Sequence, residues 1–200
     1  LWCAAAAQPR EVRVGLYDNE PKIFADAQGR PAGILVELLQ EVARLEGWTL
    51  RFETCTWSDC LEALKAGRID LMPDVAYTVG RDAQFDFHET PALLSWSQVY
   101  RRRDVPIASI LDLDGRRVVA LAGSVQLSVF TDLTRSFGVK PELHTVATLE
   151  EGFRLVEARQ ADAVIANQFF GNVQAPRHRL LETTIMFQPS RLFYATTQGR

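Results

Sequence analysis

The stretch Trp48–Met72, WTLRFETCTWSDCLEALKAGRIDLM, decides the fold class. Trp48, Leu50 and Phe52 alternate with polar residues, the period of two that marks a strand. Ser58 stands where a helix cap is expected, Leu61 and Leu64 follow at helical spacing, and Gly67 stops the helix. Ile69-Asp70-Leu71-Met72 is then a second strand. Toward the N-terminus, Val12-Arg13-Val14-Gly15-Leu16 is a short buried strand. Ile34, Leu35, Leu38, Leu39, Val42 and Leu45 recur as one face of a helix that Gly47 ends. The resulting order, strand–helix–strand–helix–strand, predicts a parallel sheet with covering helices.

The same order recurs toward the C-terminus. A longer apolar strand from Leu94 to Tyr100 leads into Arg101-Arg102-Arg103-Asp104, a charge run read as a solvated face. Arg117 to Leu121 is a strand, Ser124 to Phe137 a helix ended by Gly138, and Leu143 to Val146 a strand. Thr148 and Glu151 form a capping box before Phe153, Leu155 and Val156, and Ala163-Val164-Ile165-Ala166 closes the run. Two α/β units thus share one chain without detectable sequence repetition. Leu192-Phe193-Tyr194-Ala195 reads as a strand with no helix after it, and the simplest topology returns it to the first unit. Gly29-Arg30-Pro31 is a turn. The domain reading is a first lobe over 8–99 and 191–200, lacking its C-terminal part, and a second over 100–190.

Composition narrows the function classes. Among 200 residues, 22 Lys and Arg stand against 25 Asp and Glu, a formal charge of −3, which disfavours an electrostatic nucleic-acid binder. No run approaches the ~20 consecutive apolar residues of a membrane-spanning helix. The first seven residues, Leu1 to Ala7, read as the tail of a secretory signal cleaved before Gln8, since Ala5 and Ala7 fit the A-x-A pattern. An Ala-rich extension or a lipid-modified Cys3 are the alternatives. Cys55 and Cys60 are expected to close a small loop as a disulfide in an oxidising compartment; the alternative is two thiols. No further Cys or His stands at metal-ligand spacing, so neither a metal nor a cofactor is expected.

Enzyme signatures are absent: no G-x-S-x-G elbow, no H-E-x-x-H, no Gly-rich phosphate loop and no dinucleotide fingerprint. His88, His144 and His178 are isolated. The informative residues are polar and aromatic ones at the carboxyl ends of strands, where open α/β sheets bind ligands. Tyr17, Asp18 and Asn19 follow the first strand, and Trp57 the next. Asp74, Ala76, Tyr77, Thr78 and Arg81 follow the third. In the second unit Gly123-Ser124-Val125 opens a helix whose free backbone N–H groups face the space between the units, and Asn167 sits past another strand.

The chain resembles the family 3 periplasmic solute-binding proteins, of the two-lobed type II (Venus flytrap) fold, in Val12–Pro21, Gly33–Leu50, Trp57–Asp70, Thr78–Phe87, Leu111–Ser124 and Ala161–Asn167. Gly67-Arg68-Ile69-Asp70 matches the family's G-x-x-D core and Thr78-Val79-Gly80-Arg81 its T-x-x-R element. Phe85-Asp86-Phe87 before Pro91 and Asp112-Leu113-Asp114-Gly115 also match. Thr56-Trp57-Ser58-Asp59-Cys60-Leu61 and Ser95-Trp96-Ser97-Gln98-Val99-Tyr100 are similar to the sensor-type members, extracytoplasmic domains of membrane histidine kinases and diguanylate cyclases.

The resemblance implies that Arg81 grips a ligand carboxylate, with Thr78 and the amides at Ser124 and Val125 completing an anion site. Asn167 stands where the family places a carboxylate for the ligand's ammonium, and an amide is a weaker partner for a cation. Asp74 is then either the substitute negative charge or a solvated acid. The expected function is a periplasmic sensor domain, tethered to the inner membrane. It closes around a small anionic or zwitterionic metabolite, an amino acid or related organic acid, and signals through a membrane segment to a cytoplasmic output domain. The alternatives are a free solute-binding protein serving an ABC permease, and a dehydratase-like enzyme using Asp74 or Glu20.

Overall fold

The structure, a computed structural model, describes residues 10–199. The expected signal tail and Cys3 lie outside the described residues. Apolar residues of Arg10–Leu16 (β1) bury Val12, Val14 and Leu16. A small hairpin, Phe24–Ala25 (β2) with Pro31–Ala32 (β3), turns through Asp26, whose carboxylate accepts from the Gln28 and Arg30 amides. Ile34–Glu46 (α1) buries Leu35, Val36, Leu39 and Ala43, whereas Leu38 and Leu45 of the expected apolar face stay exposed. Gly47, at φ 68°, takes the left-handed conformation that ends α1 and donates its N–H to Ala43.

Trp48–Thr54 (β4) pairs parallel with β1 along its whole length. Trp57–Lys65 (α2) starts two residues earlier than expected: Thr56, not Ser58, is its cap, with Asp59 N–H donating to Thr56 Oγ1. Ser58 instead reaches across to lobe two, donating to the Ala122 carbonyl at 3.3 Å. Leu71–Ala76 (β5), the short helix Val79–Asp82 (α3) and Phe85–Phe87 (β6) complete the first run. After Leu93–Arg102 (β7), the second run follows as Arg117–Leu121 (β8), Val125–Ser136 (α4), Glu142–Val146 (β9), Leu149–Glu157 (α5), Ala163–Asn167 (β10) and Gln168–Arg177 (α6). The 18-residue strand Leu180–Thr197 (β11) ends the described chain.

The strand order is β4-β1-β5-β11-β7-β10-β8-β9, with β6 on β11. Each lobe therefore has its second, first and third strands side by side and parallel, bordered by an antiparallel strand. β7 and β11 serve both lobes. Residues 97–101 of β7 pair with β10, while the C-terminal part of β11 pairs with β5 and β6. Between them, β11 runs antiparallel to β7 with register shifts at Glu182/Met186 and Phe187/Ser190, and Gln188 has φ 52°. One apolar cluster joins the lobes, from Leu16, Trp57 and Met72 to Leu121, Leu149 and Phe153.

Of the basic run that ends β7, Arg103 and Asp104 are exposed, but Arg101 and Arg102 are not a solvated face. Arg101 donates to the carbonyls of Ile107, Arg102 and Arg103, and the largely buried Arg102 to those of Val156 and Ala161. These guanidiniums satisfy backbone acceptors at the edge of lobe two that would otherwise be left unpaired. A second device appears once in each lobe. Arg13 on β1 clasps Asp70 through its backbone N–H, Nε and a terminal nitrogen, and Arg117 on β8 clasps Asp162 with the same three groups. Each aspartate N–H returns a bond to its arginine's carbonyl. No helix among the described residues is long and apolar enough to cross a membrane.

Candidate ligand-binding cleft

The lobes meet over a cavity of about 60 Å³ lined from three directions. Lobe one contributes Tyr17, Asn19, Lys22, Trp57, Asp74, Ala76 and Arg81. Lobe two contributes Leu121, Ser124, Val125, Gln126, Leu149 and Asn167, and the shared strands contribute Ser95, Trp96, Ser97, Gln188, Ser190 and Leu192.

A fully desolvated ion pair forms part of the lobe-one wall. Lys22 and Asp74 are each 2% exposed in their side chains and lie 2.7 Å apart. Asp74 also accepts from Tyr17 Oη at 2.9 Å and Asn19 Nδ2 at 2.7 Å. Burial lowers the Lys22 pKa and the Asp74 charge opposes that shift. Burial, reinforced by the adjacent carboxylate, pushes the Tyr17 hydroxyl well up, so Tyr17 stays a neutral donor. Asp74 itself has φ 65°, a left-handed conformation within a strand, which turns its carboxylate toward Lys22. It is therefore not a solvated acid.

Arg81 sits differently. Thr78 caps α3 by accepting from the Arg81 N–H, and the Arg81 guanidinium donates to the Ala76 carbonyl at 3.0 Å and lies 5.3 Å over the Trp57 ring. Among the described residues no carboxylate pairs with it; Asp86 instead accepts from the Gly199 N–H. Burial lowers its pKa, opposed by the Asp74 charge, but an arginine remains protonated. Trp57 is 8% exposed and its buried Nε1–H has no acceptor among the described residues.

Lobe two brings helix starts rather than charges. Gly123, at φ 66°, turns the chain so that Ser124 can cap α4 by accepting from the Leu127 N–H. The amides of Val125 and Gln126 in that first turn have no intrahelical partner. Asn167 caps α6 by accepting from the Phe170 N–H, and its Nδ2 donates to Asn19 Oδ1 at 2.9 Å. A chain of polar groups thus runs Lys22–Asp74–Asn19–Asn167 from one lobe into the other.

Of the expected site residues, Tyr17, Trp57, Asp74, Ala76, Arg81, Ser124, Val125 and Asn167 come together here. Three do not. Asp18 points away from the cleft into a separate recess with Glu20, Glu150 and Arg177, where burial and the two neighbouring carboxylates raise its pKa. Tyr77 stacks edge-on against Phe87 and Phe193, and Thr78 spends its hydroxyl oxygen on the α3 cap. Glu20 is held by Arg177 and Gln174 across the lobe boundary. Cys55 and Cys60 are joined as a disulfide, with Cα atoms 5.5 Å apart, anchoring the start of α2 beside Trp57. The reading missed Lys22 and the residues of β7 and β11. The one available signal was Ser95 and Ser97 at alternate positions of an otherwise apolar strand; both are buried.

Two α/β lobes joined by a pair of shared strands, with a polar cavity between them, define a type II periplasmic-binding-protein fold. The family model for bacterial extracellular solute-binding proteins, family 3, matches residues 12–117, and the chain belongs to that family. A second model, NMT1/THI5 like, matches residues 92–197. Among solved structures, a histidine kinase sensor domain with similarity to periplasmic binding proteins is 29% identical, with a TM-score of 0.84 over 96% of this chain and 84% of that one. Among curated proteins, the amino-acid-binding protein AabA of Dichelobacter nodosus is 31% identical over 62% of this chain and 49% of its own length. The probable ABC transporter extracellular-binding protein YckB of Bacillus subtilis is 27% identical over 69% of this chain and 47% of its own. The chain spans about half the length of these two curated relatives.

Proposed function

We propose that this chain is an extracytoplasmic ligand-binding domain whose lobes close on a small organic anion, with Arg81 gripping the ligand's carboxylate. The observation that carries the reading is the state of Arg81: a half-buried guanidinium at the cleft wall, held by Ala76 and Trp57 yet without an acidic partner among the described residues. A desolvated cation of this kind is stabilised by an incoming anion, and the planar fork suits a carboxylate. Ser124, Val125 and Trp57 supply further donors at the same cavity. Ligand contacts on both lobes bias the pair toward the closed form.

The role we assign is that of a sensor domain in the periplasm, tethered to the inner membrane and passing closure to a cytoplasmic output domain. Its support is the match to a histidine kinase sensor domain along 96% of the chain. The likeness to a probable ABC transporter binding protein favours the second reading, delivery of the same ligand to a permease. An enzymatic role is less well supported, because Asp74 is saturated by three donors and Glu20 faces the outer recess rather than the cleft.

The test is a thermal-shift screen of small carboxylates against wild type and Arg81→Ala, with hits titrated calorimetrically. Wild type gains melting temperature with at least one of them. The variant loses about 2–5 kcal/mol of affinity, the cost of stranding a desolvated charge, while its ligand-free melting temperature stays near that of wild type. Unchanged affinity in the variant defeats the assignment. A large fall in ligand-free stability instead makes Arg81 structural.

A further inference from the structure

We infer that the cleft selects a small monoanion that carries oxygen acceptors and no ammonium, a three- or four-carbon oxo or hydroxy acid rather than an amino acid. The inference rests on the proposed role of Arg81 as the anion partner and specifies the rest of the ligand.

Charge comes first. Among the described residues, the acidic and basic side chains lining the cavity are Lys22, Asp74 and Arg81. Lys22 neutralises Asp74 at 2.7 Å inside the protein, so one positive charge, that of Arg81, faces the ligand. A monoanion balances it. A zwitterion would add an ammonium to a site whose one carboxylate already holds a buried ammonium, and the two cations would compete for the same oxygens.

The count of free hydrogen-bonding groups points the same way. The carboxylate and amide oxygens of Asp74, Asn167, Asn19 and Gln188 at the cleft are engaged, which leaves the Ser95 and Ser97 hydroxyls and the Gln126 amide among the other lining side-chain acceptors. Asp74 receives Lys22, Tyr17 and Asn19; Asn167 Oδ1 receives Phe170 N–H; Asn19 Oδ1 receives Asn167; Gln188 Oε1 receives Ser97. Donors are in surplus. Trp57 Nε1–H, buried in a residue only 8% exposed, has no acceptor among the described residues. The guanidinium of Arg81 spends one bond on Ala76, and the first-turn amides at Val125 and Gln126 have no intrahelical partner. An occupant built of oxygen acceptors satisfies these donors, whereas an ammonium adds three more donors and finds the one lining carboxylate already paired with Lys22. Size sets the scale: a cavity of about 60 Å³, room for about four to six waters, suits a small acid of a few carbons.

Isothermal titration of the folded domain with matched triplets decides it: pyruvate, L-lactate and L-alanine, then 2-oxobutyrate, 2-hydroxybutyrate and L-2-aminobutyrate. Within a triplet only the group beside the carboxylate changes. The oxo or hydroxy acid is expected to bind, with the amino acid weaker by about tenfold or more, the penalty for a buried charged group without a partner. An amino acid that binds as tightly as its amine-free counterpart overturns the inference and leaves the carboxylate reading of Arg81 standing. If no member of either triplet binds while larger carboxylates do, the size and class assigned here are wrong. If no carboxylate binds at all, the proposed function fails and this inference falls with it.

Discussion

Two buried tyrosines, one in each half of the molecule, are treated in opposite ways. Tyr17, at the cleft wall of lobe one, donates its hydroxyl to Asp74 inside a network with Lys22 and Asn19. Tyr100, on the part of β7 that pairs with β10, is 1% exposed, packs against Phe153, and has a buried hydroxyl with no hydrogen-bond partner among the described residues. Gly171 of α6 faces it so closely that an added Cβ would fall 1.9 Å from the ring. Away from the cleft the lobes are alike, down to the Arg13–Asp70 and Arg117–Asp162 clasps. The difference shows where a shared scaffold has been specialised. Lobe one commits buried charge to the site, and lobe two supplies helix starts and an apolar core.

The contrast breaks most sharply at the ion pair. Lys22→Met strands the Asp74 carboxylate in a dry wall and should cost about 3–5 kcal/mol in denaturant unfolding. Lys22→Met with Asp74→Asn, which keeps a residue tolerant of positive φ, should recover most of that loss. A single variant as stable as wild type would mean that the pair is not desolvated in solution. The tyrosines provide the next test. Tyr17→Phe removes a bond to a charged acceptor and should cost about 1.5–3 kcal/mol, whereas Tyr100→Phe relieves an unpaired hydroxyl and should be neutral or stabilising by up to about 1 kcal/mol. Equal losses in both variants would erase the distinction between the two sites.

The smallest effect concerns what the lobes share. Arg117 holds the Asp162 carboxyl below its ordinary value, chiefly through their side-chain hydrogen bond, with burial opposing. The clasp's contribution is thus complete above the unfolded carboxyl value of about 3.9 and is lost as pH falls through the lower folded value. Asp162→Asn should be less stable than wild type at neutral pH, and the gap should narrow below about pH 4. A gap independent of pH would show that the carboxylate's charge is not what the clasp uses.

Much of the scaffold was legible because local signals and global fold agree. The alternation in β4, the αL glycine after α1, the Ser124 and Thr148 caps and the strand ends at Tyr17 and Asn167 all act within a few residues. Lys22 was not legible, since a lysine between Pro21 and Ile23 reads as solvated until its partner 52 positions away is known. Tyr77 was misplaced for a geometric reason. The positive φ of Asp74 breaks the two-residue parity of β5, so side-chain direction beyond it cannot be counted from the strand. The irregular β11 register opposite Met72–Val75 marks the same break. The contributions of Ser95, Gln188 and Ser190 depend on a long strand pairing no local pattern announces.

That pairing also sets the mechanics of the proposed closure. A ribbon of two antiparallel strands resists sliding through its rungs of hydrogen bonds but twists readily, most of all where β11 slips register near Gln188. From β11 to the outer strand β9 there are four strand spacings, so at about 4.8 Å each the lever arm is roughly 19 Å. Each degree of torsion in the ribbon then carries β9 through roughly 0.3 Å, with the cleft as fulcrum. A ligand that fixes a few atoms beside the crossing strands is thereby read out as a much larger displacement at the rim of the molecule, where a partner could feel it.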